Sequence, residues 1–260
     1  MSPRRGRLLA RVTLTAIPGV PDVRPGADLA ALIVHALRSA GLRPAAGDAL
    51  VVAQKVVSKA EGSVVDLATV TPGPAAARLA ETLERDPRLV EVVLGESTRV
   101  VRAEHGVLIT EHRLGFICAN AGVDHSNVGL GPDTVSLLPR NPDASARVMR
   151  DALRTAFGVP VAVVINDSHG RPHRAGAVGV CIGAAGLEPV VSLVGRPDLY
   201  GYTLRTSTEA IADELAAAAT LLQGQCAEAV PAVLVQGLAV ADGPGGAAQL
   251  LRDPAHDLFR

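Results

Sequence analysis

Hydrophobic positions along the chain recur with two periods, and the switches between them mark the elements. Residues 8–17 alternate as a strand does. Pro18-Gly19-Val20-Pro21 then forces a turn, because two prolines and a glycine cannot continue a hydrogen-bonded ladder. Leu29, Leu32, Ile33, Ala36 and Leu37 share one face of a helix predicted over 28–40, with Asp28 as its cap and Gly41 as its stop. Gly47-Asp48 introduces a strand over 49–54, which delivers the segment 55–62. Helices are expected over 74–85 and from near Pro87. Residues 98–103 and 107–111 read as a hairpin across Glu104-His105-Gly106. Residues 116–121 read as a strand that empties into a polar run from Gly122 to Val128.

A helix is predicted over 141–157, with Asp143 or Asn141 at its cap and Val148, Leu153 and Phe157 buried. Residues 161–165 are continuously apolar, as a strand buried on both faces is. That run ends at the polar stretch from Asn166 to Arg174. Gly176, Gly179, Gly183 and Gly186 stand among small apolar residues and imply close backbone approach, in a strand or a loop. Residues 208–222 are Ala-rich and helical in pattern, with Gly224 as C-cap, then a polar loop over 223–230 and a last buried strand over 232–236. The Gly/Pro-rich stretch beyond Ala241 reads as a loosely held tail. No internal repeat and no interdomain linker stand out.

At 260 residues the chain can hold one large domain or two small ones. A net charge of −1 gives no general pull towards nucleic acid or an anionic membrane. No apolar run approaches the roughly 20 residues of a membrane span, and the basic start reads as the approach to a first strand, not a signal peptide. Neither nucleic acid nor membrane is therefore expected as a partner. The three cysteines are far apart; Cys118 and Cys181 lie in apolar runs and read as small core residues, which fits a reducing, cytoplasmic location. With no Trp, two Tyr and three Phe, stacking platforms for single-stranded nucleic acid are not expected.

Lys55 and Lys59 are the only lysines; every other basic side chain apart from histidine is arginine. An ammonium is a compact point charge and a guanidinium a broad planar fork, so a tight polyphosphate site can need the first and exclude the second. Three polar clusters follow apolar strands: Lys55/Ser58/Lys59/Glu61, Asp124/Ser126/Asn127 and Asp167/Ser168/Arg171/Arg174. Asp124, Asp167 and Ser168 offer hard oxygens suited to Mg²⁺ or Mn²⁺, while Lys59, Arg171 and Arg174 offer positive charge. Together these can bind and polarise a polyphosphate. Each Asp taken alone reads as a turn or cap residue. Gly-x-x-x-x-Gly-Lys-Ser/Thr, Gly-x-Gly-x-x-Gly and Gly-x-Ser-x-Gly are all absent, so P-loop, Rossmann and serine-hydrolase readings lack support. A zinc site on Asp167, His169 and His173 fails too, since Pro172 blocks a shared helical face and nothing completes the shell.

In this order the clusters resemble the coenzyme F420-0:L-glutamate ligase (γ-glutamyl ligase) family. The resemblance rests on Gly19-Val20-Pro21-Asp22, Val56-Val57-Ser58-Lys59-Ala60-Glu61-Gly62 and Ala119-Asn120-Ala121-Gly122-Val123-Asp124 with Ser126-Asn127-Val128. It continues through Leu137-Leu138-Pro139, Asn166-Asp167-Ser168 with Gly170-Arg171-Pro172, Ile182-Gly183-Ala184-Ala185-Gly186, and Ala212-Asp213-Glu214 leading to Gly224-Gln225. It covers about residues 8–238. It implies an α+β fold of mixed, largely antiparallel sheets with flanking helices and an unusual topology. A ligase-like domain would span 1–240, with a Gly/Pro-rich tail over 241–260.

The activity so implied is GTP-dependent addition of L-glutamate to F420-0 through an acyl phosphate. It would need Mg²⁺ or Mn²⁺, as two ions, with K⁺ as a further candidate, and it would be carried out by a homodimer. The resemblance assigns nucleotide contacts to Val20, Pro21, Asp22, Val23, Gln54, Lys59, Asn127, Gln223, Gly224, Gln225 and Cys226. It assigns metal to Asp124, Asp167, Ser168 and Gln225, and makes Lys59, Asp124 and Asp167 the catalytic set. Arg171 and Arg174 are candidates for the phosphodiester and carboxylates of the substrate, which an Arg fork matches bidentately. Gln54 stands where some members have Ser, Ser168 where Thr is usual, and His169 and His173 where Phe or Met, and Trp, are usual. Cys226 lies where small residues are common. A flavin-binding reductase-like domain, which some members carry, is not expected here. Two other readings remain: a related amide ligase for a different phosphorylated acid, and a non-catalytic nucleotide- or F420-binding protein.

Overall fold

The computed structural model of the chain describes residues 11–258; the beginning of the strand expected over 8–17 lies outside them. Strand β1 (Thr13–Ala16) is followed by α1 (Leu29–Ser39), β2 (Ala49–Ala53), α2 (Gln54–Glu61) and β3 (Val64–Asp66). Helices α3 (Pro74–Leu83) and α4 (Pro87–Gly95) lead into β4 (Ser97–Glu104), β5 (Val107–His112), β6 (Ile117–Ala119) and β7 (Thr134–Ser136). Then come α5 (Pro142–Phe157), β8 (Ala162–Arg171), β9 (Arg174–Ala185), the short β10 (Val191–Ser192) and β11 (Thr208–Glu209), α6 (Ile211–Gln223) and β12 (Ala232–Gln236).

The main sheet has the order β1-β12-β2-β8-β9, and only β2 and β8 run parallel. The β3–β7 and β10–β11 pairs and the β4-β5-β6 sheet are antiparallel. The fold is thus mixed α/β with mostly antiparallel sheets and packed helices. β2 and β12 are buried almost end to end, as strands covered on both faces are. A second, smaller core gathers Leu67, Ala80, Leu83, Val90, Val93, Leu108 and Val135 from α3, α4, β5, β7 and their links.

Two glycines let α5 and α6 lie against β9. A Cβ on Gly179 would stand 2.1 Å from Thr220 Oγ1 and 2.4 Å from the Ala216 carbonyl oxygen of α6. A Cβ on Gly183 would stand 2.6 Å from the backbone carbonyl carbon of Pro142, at the start of α5. The close approach implied by the glycine pattern is therefore real, and it occurs in a strand.

Several local expectations hold. The Asp28 carboxylate caps α1 through the Ala31 N–H at 3.0 Å, and Asn141, of the two candidates, caps α5 through the Ala144 N–H at 3.0 Å. Others need correction. Val148 is 63% exposed; α5 buries Ala146, Met149 and Leu153, spaced i, i+3, i+7, and Val148 falls off that stripe. Phe157 is only half-buried, with the Arg38 guanidinium 5.7 Å over its ring. The apolar run over 161–165 does not end the strand: β8 continues through the polar residues to Arg171 because β9 pairs with it throughout. α6 starts at Ile211, since Thr208 and Glu209 pair with β10 instead. The stretch after Ala241 is held more firmly than its composition implies. Arg150 reaches Asp242 at 2.7 Å, the Ala247 N–H donates to Asp143 at 3.0 Å, and Ala247 is buried.

Candidate active site

Sheet order decides what meets at one end of the fold. β2 and β8 are parallel, so both carboxyl ends open there. β12 runs the other way, so the loop before it arrives at the same end, and β1, antiparallel to β12, delivers the turn after Ile17. Ligands of α/β sheets favour the crevice beyond such carboxyl ends. A cavity of about 440 Å³ lies there. It is lined by residues 20–23, by the β2–α2 junction, by Asp124, Ser126 and Asn127, by Asn166, Asp167 and Ser168, and by the loop from Gln223 to Pro231.

Every nucleotide- and metal-assigned position lines this cavity: Val20, Pro21, Asp22, Val23, Gln54, Lys59, Asp124, Asn127, Asp167, Ser168, Gln223, Gly224, Gln225 and Cys226. Arg171 and Arg174 do not. They face each other in register near the tip of the β8–β9 hairpin, where Arg171 Nη2 donates to the Ala175 carbonyl at 3.3 Å. Ser58 and Glu61 also turn away. Ser58 is buried and donates to Gln54 Oε1 at 2.9 Å, while Glu61 accepts from Ser145 and from the Arg140 N–H. Lys55 and Lys59 are four residues apart and share one face of α2, and Glu61, two residues beyond Lys59, falls off that face.

α2 begins directly at the end of β2, and Ala53 supplies no side-chain cap. Its first-turn N–H groups therefore point their partial positive charge at the cavity, where an anion is favoured.

Each lysine already has a carboxylate partner. Lys59, 7% exposed at its side chain, donates to Asp22 Oδ1 at 2.6 Å, and this bond, against the cost of burial, holds the Asp22 carboxyl below its usual range. Lys55 donates to Asp124 Oδ2 and to the Ser126 carbonyl. Burial alone would raise the Asp124 carboxyl, but the bonds from Lys55 and Ser126 outweigh it and the group sits low. His169 Nε2 lies 3.1 Å from Asp167 Oδ2, with the Phe116 ring edge-on to the imidazole.

Two contacts tie the walls together. Asn127 Nδ2 donates to the Cys226 carbonyl at 2.9 Å, and Ser168 Oγ donates to Gln225 Oε1 at 3.1 Å. Asn166, to which the resemblance assigned no role, lines the cavity as well. Buried within β8 where its apolar half gives way to the polar half, it donates to Gln223 Oε1 at 2.7 Å and accepts from Gln223 Nε2, fixing the root of the loop. Its signal was a polar residue directly after a continuous apolar run. Among the described residues, no three His, Cys, Asp or Glu side chains converge as a metal cluster. The oxygen set of Asp124, Asp167, Ser168 and Gln225 is instead of the kind Mg²⁺ uses when phosphate completes its shell.

Cys226 is exposed on this loop, whereas burial pushes up both other thiols, that of Cys118 to about 12. One thiol per native chain should therefore react with 5,5′-dithiobis(2-nitrobenzoic acid), and none in Cys226→Ser. A second fast-reacting thiol in the native protein would contradict this burial pattern.

Fold and cleft together define a mixed α/β protein with lysines, carboxylates and an uncapped helix N-terminus converging at one sheet end, equipment for a phosphate-bearing ligand. The chain belongs to the F420-0:Gamma-glutamyl ligase family, which it matches over residues 19–237. It is 46% identical over 251 residues to the coenzyme F420:L-glutamate ligase of Methanothermobacter thermautotrophicus, covering 96% of this chain and 99% of that protein. It is 45% identical over 256 residues to the Methanopyrus kandleri protein of the same name, covering 97% and 99%. Against the Methanocaldococcus jannaschii coenzyme F420:L-glutamate ligase the figures are 41% over 214 residues, 82% and 85%.

Proposed function

We propose that the protein is a GTP-dependent ligase of F420 biosynthesis that joins L-glutamate to F420-0 in a γ-glutamyl-type amide linkage. The observation that carries this reading is the convergence of Lys55, Lys59, Asp124, Asp167 and the α2 N-terminus in one cavity, in a chain of this family. The relatives named coenzyme F420:L-glutamate ligase support the two acceptor substrates.

A carboxylate is a poor electrophile, so it must first acquire a leaving group. In the proposed sequence a carboxylate oxygen of F420-0 attacks the γ-phosphorus of GTP, the bond to the bridging oxygen breaks, and GDP leaves. The glutamate amine then adds to the acyl carbon. Inorganic phosphate departs with the C–O bonding pair, and the amine gives up a proton. Lys59 contributes a positive charge held in place by Asp22, and the α2 N–H groups contribute aligned dipoles. The turn over 20–23, Gln54, Asn127 and the loop 223–226 surround the nucleotide, with Asn166 holding Gln223 in position. Arg171 and Arg174 stand outside the cavity, so in this reading they meet the phosphodiester and carboxylates of F420-0 where it extends from the cleft.

Asp124, Asp167, Ser168 and Gln225 would hold Mg²⁺ or Mn²⁺, as two ions, with K⁺ as a further candidate. When bound, such a cation neutralises phosphate charge during transfer. A homodimer belongs to the same proposal. The arm between β10 and β11 exposes Leu199, Tyr200 and Tyr202, apolar surface of the kind a partner chain covers. The three free cysteines support a reducing, cytoplasmic setting, and no helix among the described residues is long and apolar enough to cross a membrane.

Purified protein incubated with F420-0, L-glutamate, GTP and Mn²⁺ should yield a product heavier by whole glutamyl residues, with matching release of GDP and phosphate. Neither glutamate addition nor GDP release under these conditions would remove the proposal.

A further inference from the structure

Lys55 and Lys59 share a helix face but not a situation. Lys59 lies against Asp22, which the resemblance does not count among the metal donors. Lys55 lies against Asp124, which it does. Three donors engage the Asp124 carboxylate, two of them on Oδ2. Oδ1 accepts from the Ser126 N–H at 2.8 Å, and Oδ2 accepts both from Ser126 Oγ at 3.0 Å and from the Lys55 ammonium. A cation reaching Oδ2 must displace one of these. The Ser126 N–H is backbone, fixed by the loop. Both donors on Oδ2, the Ser126 hydroxyl and the Lys55 ammonium, can move, and the ammonium is the one that carries charge, at the end of a flexible four-carbon stem. It also cannot stay, because two cations on one carboxylate oxygen repel strongly in a half-buried site.

We propose that Lys55 is a resident counter-ion of Asp124 that a divalent metal ion must displace. The inference rests on the metal reading of Asp124 given above. Without a ligand, Lys55 keeps the Asp124 loop neutral and in place, and it holds metal affinity down. Displacement frees an ammonium inside a cavity that takes phosphate, so nucleotide gives it a new partner. Metal and nucleotide then bind with positive coupling, each favouring the form in which Lys55 has left Asp124. Lys55 is on this account a positioning residue, and its signature is a binding equilibrium, not a rate.

The test is Mn²⁺ binding to the full-length protein, followed by the loss of the free-ion paramagnetic resonance signal. It compares wild type, Lys55→Met, Lys55→Arg and Asp124→Asn, each with and without a non-hydrolysable GTP analogue. Lys55→Met should bind Mn²⁺ at least ten-fold more tightly than wild type without nucleotide, and the gain in affinity on adding nucleotide should shrink. Lys55→Arg, which keeps the charge, should stay near wild type. The metal-free melting temperature of Lys55→Met should fall and recover on adding Mn²⁺, since the carboxylate is then uncompensated until metal arrives. Equal or weaker Mn²⁺ binding in Lys55→Met, alongside loss of binding in Asp124→Asn, overturns the counter-ion proposal and leaves the metal reading standing. Undiminished Mn²⁺ binding in Asp124→Asn overturns both.

Discussion

Asp167→Asn should lower the rate of glutamate transfer about 10³-fold, roughly 4 kcal/mol in the barrier, at 1.36 kcal/mol for each factor of ten. Asn keeps the size of the side chain and a carbonyl oxygen 3.1 Å from His169 Nε2, so the β8–β9 hairpin loses no packing. What it removes is one of the two carboxylates proposed to hold the metal, and with it half of the anionic charge facing the ion. Neutral Ser168 and Gln225 cannot replace that charge. The melting temperature should stay within a few degrees of wild type, because Asp167 lies on the polar half of β8, outside both hydrophobic cores. The check is GDP release and product mass under saturating F420-0 and glutamate, together with a thermal melt. Activity within ten-fold of wild type would take Asp167 out of the catalytic set.

The sequence pattern reached the strands, helices and caps whose signals are local. Asp28, Gly41, Gly224 and the apolar runs of β2, β8 and β12 act on their immediate neighbours, so a short window contains the cause. It misjudged Val148 because an apolar residue next to a stripe looks like part of it until the partner surface is known. It ends β8 too early because polarity there looks like the end of a strand, whereas pairing with β9 carries the ladder outwards. The cavity is a consequence of sheet order, which no window holds. Asp22, Lys55 and Asn166 belong to separate stretches that meet because β1, β2 and β8 run the same way and only β12 is reversed, while Asp124 arrives on the segment between β6 and β7, bridged to Ser136. The resemblance assigned residues to a shared site, but not their pairing. That Lys59 faces Asp22 and Lys55 faces Asp124 is a matter of side-chain geometry.

Gly179→Ala should produce the largest loss of stability of any single methyl group added to β9. The new Cβ would meet the Ala216 carbonyl oxygen at 2.4 Å and its carbon at 2.8 Å. Thr220 Oγ1, at 2.1 Å, can rotate away, but the backbone of α6 cannot. Relief requires the helix to lift from the sheet, at about 3 kcal/mol, the upper end of ordinary overpacking costs. For a chain of this size that corresponds to a melting temperature lower by roughly 6–12 °C. The damage should also reach the site, because α6 ends in Gln223, which Asn166 grips, and leads into Gln225 and Cys226. Nucleotide affinity should therefore fall together with stability, although Gly179 does not line the cavity. Gly170→Ala is the control: nothing lies within 4 Å of its Cβ position, and the shift should stay within about 0.5 kcal/mol. A Gly179→Ala protein that melts with wild type would mean that α6 withdraws at no cost. The close contact between helix and sheet would then not be what holds the loop 223–231 against the cleft.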